Sequence, residues 1–232
     1  VSIFVNPAQF GPTEDYGGYP RQLASDLKQL GDRPGLCVFV PSDEVIYPGG
    51  MARYVEARYR SRLEGELCGR SRPQFFGGIT CVVNRLFEIV RPDYAYFGEK
   101  DYQQLLIIRE MVAEKGADIQ VVGGELVRES DGLAMSSRNQ YLSPSERQAA
   151  CGVYRALQFG RKLVESGERS IAVLCREIRG QLNQVKGFNI DYVEIRDELS
   201  LSPMEMISGQ SRCFLAGMLG KTRLIDNKRL LG

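Results

Sequence analysis

The stretch Asp93-Tyr-Ala-Tyr-Phe97-Gly-Glu-Lys100-Asp-Tyr-Gln-Gln104 narrows the possible folds most, because an apolar run gives way there to charge and then to a helical pattern. Tyr94 to Phe97 predict a buried strand, and Gly98 permits an unusual turn. Leu105, Ile108, Met111 and Val112 then recur at helical spacing, in a helix expected from Asp101 to Lys115. Lys100, Asp101 and Gln104 therefore fall at the carboxyl end of a strand and on a helix start. In open α/β sheets that edge binds ligands, and a helix N-terminus with a lysine beside it suits an anion such as phosphate. Taken alone, the same residues would equally make a solvated charged turn.

The chain on either side repeats the alternation of strand and helix. Val1-Ser-Ile-Phe-Val5 predicts a buried strand that ends in Asn6-Pro7-Ala8-Gln9-Phe10, and a Gly/Pro-rich loop runs from there to Pro20. Leu23, Leu27 and Leu30 mark a helix closed by Gly31, and Leu36-Cys-Val-Phe-Val40 is a second buried strand ended by Pro41. Residues 42–72 are irregular and predict a short helix, an edge excursion and a loop. Ile79, Val82, Val83, Leu86, Phe87 and Val90 form a helix stripe stopped by Pro92, and Ile119 to Val122 is a further strand. Strands alternating with helices make a parallel sheet.

The texture changes near Leu126. A polar, glycine-bearing run from Val127 to Asn139 is followed by Ser143-Pro-Ser-Glu146, a capping box that opens a long helix. A second helix is expected over roughly Ile171 to Val185, and strands at Asp191–Ile195, Cys213–Leu219 and Thr222–Ile225. The expected organisation is a Rossmann-like α/β domain over residues 1–126 and a smaller, lid-like α+β domain over 127–232.

Composition removes several classes of function. A net charge of +1 gives no reason to expect nucleic acid or a membrane surface as partner, and no apolar run approaches the length of a membrane span. Six scattered cysteines without C-x-x-C spacing argue against a zinc site or a disulfide framework, and with no signal peptide in view they point to the cytoplasm. The chain contains no histidine, which removes every Ser-His, Cys-His and His-metal arrangement. Catalysis rests on Lys, Arg, Gln, Ser, Asp and backbone amides.

Four segments, in order, resemble those of the pantoate–β-alanine ligase (pantothenate synthetase) family. They are Phe4-Val-Asn6-Pro-Ala-Gln9-Phe10, Tyr96-Phe-Gly-Glu-Lys100-Asp-Tyr-Gln-Gln104-Leu105, Asp131-Gly-Leu-Ala-Met-Ser136-Ser137-Arg138-Asn139-Gln-Tyr-Leu142 and Leu224-Ile-Asp226-Asn227-Lys228. The resemblance implies a nucleotidyltransferase-like α/β fold and an ATP-dependent condensation of pantoate with β-alanine through a pantoyl-adenylate, releasing AMP and pyrophosphate. Such chemistry brings anions together and stabilises charge developing on phosphates, which calls for cations, Mg²⁺ and oriented donors.

By the same resemblance Lys100, Ser136, Ser137 and Arg138 are the catalytic candidates. ATP is expected to meet Gly98, Lys100, Asp101, Val127, Met135, Ser136, Ser137 and Arg138. Pantoate is expected to meet Asn6, Gln9 and Gln104, amides that both donate and accept. Asp101 has a second, less favoured reading as a cap for the following helix. Asp226-Asn227-Lys228 is expected to be a structural turn. Mg²⁺ would accompany ATP without a protein metal site, and a homodimer is implied.

The sequence departs from the family at two places. The family's His-x-Gly-His signature and the strand before it are absent, so a strand, loop and helix of roughly 30 residues are expected to precede Val1 in a full-length protein. Where the family usually reads Arg-Pro-x-His-Phe, this chain has Arg72-Pro73-Gln74-Phe75-Phe76. Two other readings stay compatible: a non-catalytic relative that binds pantoate or nucleotide, and another adenylyltransferase of the same fold.

Overall fold

The computed structural model describes residues 1–11 and 16–231, so the stretch 12–15 of the expected Gly/Pro-rich loop lies outside the described residues. The chain forms two compact units. Val1–Gly65, Gly69–Ala95 and Ile107–Gln120 make the first; Glu66–Cys68, Tyr96–Leu106 and Val121–Gly232 make the second.

In the first unit the two apolar runs near the start meet at a single parallel bridge, Ser2 to Phe39, with Ile3 N donating to Phe39 O at 2.9 Å and Phe39 N to Val1 O at 2.8 Å. The expected buried strands Val1–Val5 and Leu36–Val40 are thus much shorter than their apolarity suggests, and Val1 and Val40 are 60% and 49% exposed. Pro7 and Pro41 close the segments, and proline has no N–H with which to extend a ladder.

Helix α1 (Leu23–Leu30) ends at Gly31 with φ 67°, as its leucine spacing and terminal glycine predict. Residues 42–72 hold three short helices instead of one: α2 (Asp43–Ile46), α3 (Ala52–Glu56) and α4 (Cys68–Ser71). The expected edge excursion is not a strand.

Helix α5 (Phe75–Val90) starts one turn earlier than its apolar stripe and buries Phe76 to Val83. Glycines at its first turn allow close approach. A Cβ at Gly78 would stand 2.1 Å from Ala8 O and 2.5 Å from Gln9 N, so only a bare Cα lets the chain before Phe10 lie on the helix.

Strand β1 (Tyr94–Gly98) was expected to be wholly buried. It alternates instead, with Ala95 buried and Tyr94 and Tyr96 at 54% and 73% exposure, because a pleated strand sends neighbouring side chains to opposite faces. β1 pairs with β2 (Gln120–Gly124) in the parallel sheet. Between them lie a 3-10 turn at Glu99–Asp101 and helix α6 (Tyr102–Glu114), which buries Leu105, Ile107, Ile108 and Met111.

The second unit carries an antiparallel sheet of β3 (Phe188–Asp197), β4 (Ser211–Leu219) and β5 (Thr222–Arg229), with β4 in the middle. Every residue of β4 except Met218 is buried, as a central strand covered on both faces requires. Helix α7 (Pro144–Glu165) opens with the expected capping box, Ser143 and Glu146 each satisfying the other's backbone. Helix α8 (Ile171–Asn183) packs on α7, and Leu157, Leu174, Ile178, Leu182, Val193 and Leu215 form the centre of the shared core. β5 runs four residues beyond its expected end, so Asp226-Asn227-Lys228 is strand and not turn. Pairing with Leu215, Phe214 and Cys213 decides this, overriding the low strand preference of Asp and Asn.

Candidate active site

The first unit holds Asn6 and Gln9. Asn6 is 3% exposed and caps the 3-10 turn Pro7–Gln9, its Oδ1 accepting from Ala8 N at 3.1 Å. The same oxygen accepts from the Tyr47 hydroxyl at 2.6 Å, and Nδ2 donates to Gly78 O at 3.0 Å. Asn6 thereby ties the turn that presents Gln9 to the first turn of α5. Tyr47 is 3% exposed, and burial, followed by the neighbouring Cys81, pushes its phenol far above the usual range. It stays a neutral donor at every ordinary pH.

At the start of α5, the position expected to carry a polar ring carries Phe75. Its ring lies 3.5 Å beneath the Arg72 guanidinium and edge-on to Phe76, with centroids 5.1 Å apart. A phenyl keeps the face that attracts a cation while giving up the hydrogen bonds of an imidazole.

The second unit gathers the phosphate-type candidates. Gly98 ends β1, and Lys100 and Asp101 sit on the 3-10 turn that leads into α6, which begins at Tyr102, one residue later than the expected start at Asp101. Lys100 Nζ lies 3.9 Å from Asp101 Oδ2. Gln104 is half-buried on the first turn of α6, whereas its neighbour Gln103 is buried and bonded to the backbone of Cys68 and Glu66. Gln103 is a packing residue; the two glutamines are told apart by the helical phase alone.

The polar run after Leu126 folds back on itself. Arg128 bridges to Ala134, and Met135 N donates to Val127 O at 3.0 Å, which leaves Val127 and Met135 exposed side by side. Gly132, at φ 93°, makes the reversal, and a Cβ there would strike the Tyr154 ring at 2.2 Å. Ser136 then caps a 3-10 turn, Ser137–Tyr141, that carries Ser137 and Arg138. Arg147 on α7 holds the reversal by bonding both Glu129 and Asp131, and Asn139 Nδ2 donates to Glu129 Oε1 at 2.8 Å. The Arg147 fork holds the Asp131 carboxyl below its usual value.

Lys100 and Ser136, distant in sequence, line one pocket together with Asn139, Asp226, Arg223 and Leu224. Sequence reasoning missed what supports it. Asp226 is 3% exposed and accepts a two-pronged bond from Arg128 at 2.7 and 2.8 Å, while Asn227 Nδ2 donates to the carbonyls of Glu99 and Lys100 at 2.9 and 3.0 Å. Burial pushes the Asp226 carboxyl up, and Arg128 and then Lys100 pull against it. The signals available beforehand were the family resemblance of Leu224-Ile-Asp226-Asn227-Lys228, read there as a turn, and the polar pair that follows the apolar Leu224-Ile225.

A lysine at the strand-to-helix junction, set in one pocket with a serine-bearing loop that an antiparallel sheet supports, belongs here to a nucleotidyltransferase-like α/β fold. The chain belongs to the pantoate–β-alanine ligase family, whose model, Pantoate-beta-alanine ligase, matches residues 1–229. It is 47% identical over 228 residues to the pantothenate synthetase of Moorella thermoacetica, across 98% of this chain and 79% of that protein. The pantothenate synthetase of Heliobacterium modesticaldum is 50% identical over 228 residues, covering 98% and 80%. Among solved structures, pantothenate synthetase from Thermus thermophilus superposes with a TM-score of 0.93 at 42% identity, over 100% of this chain and 83% of that one. A pantoate–β-alanine ligase from Francisella tularensis, complexed with β,γ-ATP and β-alanine, gives a TM-score of 0.75 at 31% identity, over 99% and 78%.

Proposed function

We propose that this chain condenses pantoate with β-alanine at the expense of ATP. The shared pocket of Lys100 and Ser136, in a member of this family, is the observation that supports the reading most directly. In the first step a pantoate carboxylate oxygen attacks the α-phosphorus of ATP, the bond to the bridging oxygen breaks, and pyrophosphate leaves with the electron pair. In the second the β-alanine amine attacks the acyl carbon, AMP leaves, and the nitrogen loses its proton. Both steps join bound reactants, so orientation supplies much of the rate without a covalent enzyme intermediate.

Each residue has a part to which its chemistry is suited. Lys100 and Arg138 neutralise phosphate charge as pyrophosphate departs, and the hydroxyls of Ser136 and Ser137 donate to phosphate oxygens. Gly98 lets backbone approach the nucleotide, Asp101 accepts from the ribose, and the exposed apolar Val127 and Met135 cover the base. Gln9 and Gln104 are each suited to pantoate, as amides able to donate to its carboxylate and accept from its hydroxyls, while Asn6 shapes the turn under Gln9.

The pocket's own carboxylate, Asp226, has both oxygens taken by Arg128, so its donor set does not fit a protein-held metal. Mg²⁺, which is commonly held through substrate phosphates and few protein ligands, would arrive with ATP. In functional terms residues 1–126 serve as the nucleotide- and pantoate-binding part and 127–232 as a lid-like part. A homodimer and a cytoplasmic location complete the reading.

The test is isotope exchange. Labelled pyrophosphate should enter ATP only when pantoate is present, because adenylation precedes attack by the amine. Exchange that ignores pantoate, or that answers to an amino acid instead, would sink the assignment.

A further inference from the structure

Asp226 and Asn227 are consecutive on β5, so their side chains leave opposite faces of the strand, and both are buried at 3% and 4% exposure. Burying two polar groups in a sheet is costly unless every one of them finds a partner. Here they do. Asn227 gives its amide hydrogens to the carbonyls of Glu99 and Lys100, and its Oδ1 accepts from Arg212 Nη1 at 2.6 Å. Asp226 takes the Arg128 fork and the Asn227 backbone N–H at 2.7 Å. Arg128 passes the restraint on, donating to Gly132 O at 3.0 Å while its guanidinium lies 3.8 Å over the Tyr154 ring.

Stability alone does not call for this arrangement, since replacing a buried ion pair by well-packed apolar residues is often neutral or stabilising. What the pair accomplishes is geometric. Asn227 grips the backbone of the turn that carries Lys100, and Asp226 grips the base of the arm that leads to Ser136. The two grips are one residue apart on β5, an edge strand of the antiparallel sheet, which leaves neither segment free to drift from the other.

We propose that Asp226 and Asn227 are positioning residues for adenylation, setting Lys100 and Ser136 at a fixed separation across the phosphates. The proposal rests on the reading above that Lys100 and Ser136 hold those phosphates. Neither Asp226 nor Asn227 need touch substrate; each acts through a neighbour.

A double-mutant cycle in the full chain tests it, with pantoate-dependent pyrophosphate exchange giving kcat and KM and thermal melting followed beside it. Displacing a reacting group by about 1 Å can cost on the order of 10²-fold in rate. Asn227→Ala should therefore lower kcat by roughly that factor with the pantoate KM little changed. In a Lys100→Ala background the same substitution should cost less than about threefold, because groups in one network are not additive. Full additivity, or a lower melting temperature with unchanged kcat, would overturn the proposal and leave the pair a packing feature. An unaffected Lys100→Ala would overturn the phosphate reading and this inference with it. A loss in Lys100→Ala without one in Asn227→Ala would overturn the inference alone. If Asn227→Ala does not fold, Arg128→Lys, which keeps the charge but cannot fork, is read in the same way against Ser136→Ala.

Discussion

Gly78→Ala and Gly180→Ala, the same chemical change on two helices, should move this protein in opposite directions. Both glycines lie inside helices, where alanine is favoured by about 1 kcal/mol. At Gly180, on the exposed face of α8, an added Cβ meets nothing within 4 Å, so the helix preference acts alone. At Gly78 the added carbon would stand 2.1 Å from Ala8 O, 2.3 Å from Ala8 C and 2.5 Å from Gln9 N. All three are backbone atoms of the capped turn, and none can swing aside as a side chain end would. Overpacking of this kind costs roughly 1–3 kcal/mol, and backbone contacts this close argue for the upper end. Subtracting the helix gain leaves a net loss of about 2 kcal/mol for Gly78→Ala and a gain of up to about 1 kcal/mol for Gly180→Ala.

For a chain of this size each kcal/mol shifts the melting temperature by roughly 2–4 °C. Gly78→Ala should melt about 4–8 °C lower and Gly180→Ala up to about 4 °C higher, by calorimetry or far-UV circular dichroism. Gly78→Ala should also raise the pantoate KM, because the displaced turn carries Gln9. If it melts at or above the wild-type temperature with pantoate kinetics intact, the close approach of the turn to α5 is wrong.

Tyr47→Phe deletes one buried hydrogen bond to Asn6 and should cost about 1–2 kcal/mol; calorimetric titration with pantoate should show weaker binding, and unaltered affinity would mean that Asn6 holds its turn unaided. Ser143→Ala breaks the capping box of α7 and should cost about 1 kcal/mol, read as a lowered urea midpoint; an unmoved midpoint counts against the cap. Asp131, held below the usual carboxylate value of 3.8 by Arg147, stabilises the fold fully above that unfolded value and loses its contribution as pH falls through its lower folded value. Protection factors across residues 129–139, with the intrinsic pH dependence of amide exchange divided out, should therefore fall below about pH 4 in the wild type, and Arg147→Gln should show that lower protection at neutral pH already; identical profiles for the two proteins would refute the tie.

The residues themselves determined what short-range interactions can determine. A helix is written within four residues of itself, so the capping box at Ser143, the Gly31 stop and the α5 and α6 stripes were legible from spacing. The four segments at 4–10, 96–105, 131–142 and 224–228, in the order the family uses, identified the family before any geometry was known. Strands were read less well, because apolar content does not reveal whether a partner lies alongside: Val1–Val5 and Leu36–Val40 meet at one bridge, and Tyr94 and Tyr96 face outward.

Only the tertiary structure decided what holds the candidate pocket. Arg128 and Asp226 are 98 residues apart, and Asn227 is 127 residues from the Lys100 carbonyl it grips. A buried ion pair or a side chain on a backbone carbonyl leaves no periodicity and no cap motif in the sequence, since its partner is chosen by how the sheet folds. Asp226-Asn227 therefore reads as a turn by local preference, and becomes strand because β4 supplies the hydrogen bonds and the buried setting that make two polar side chains seek distant partners.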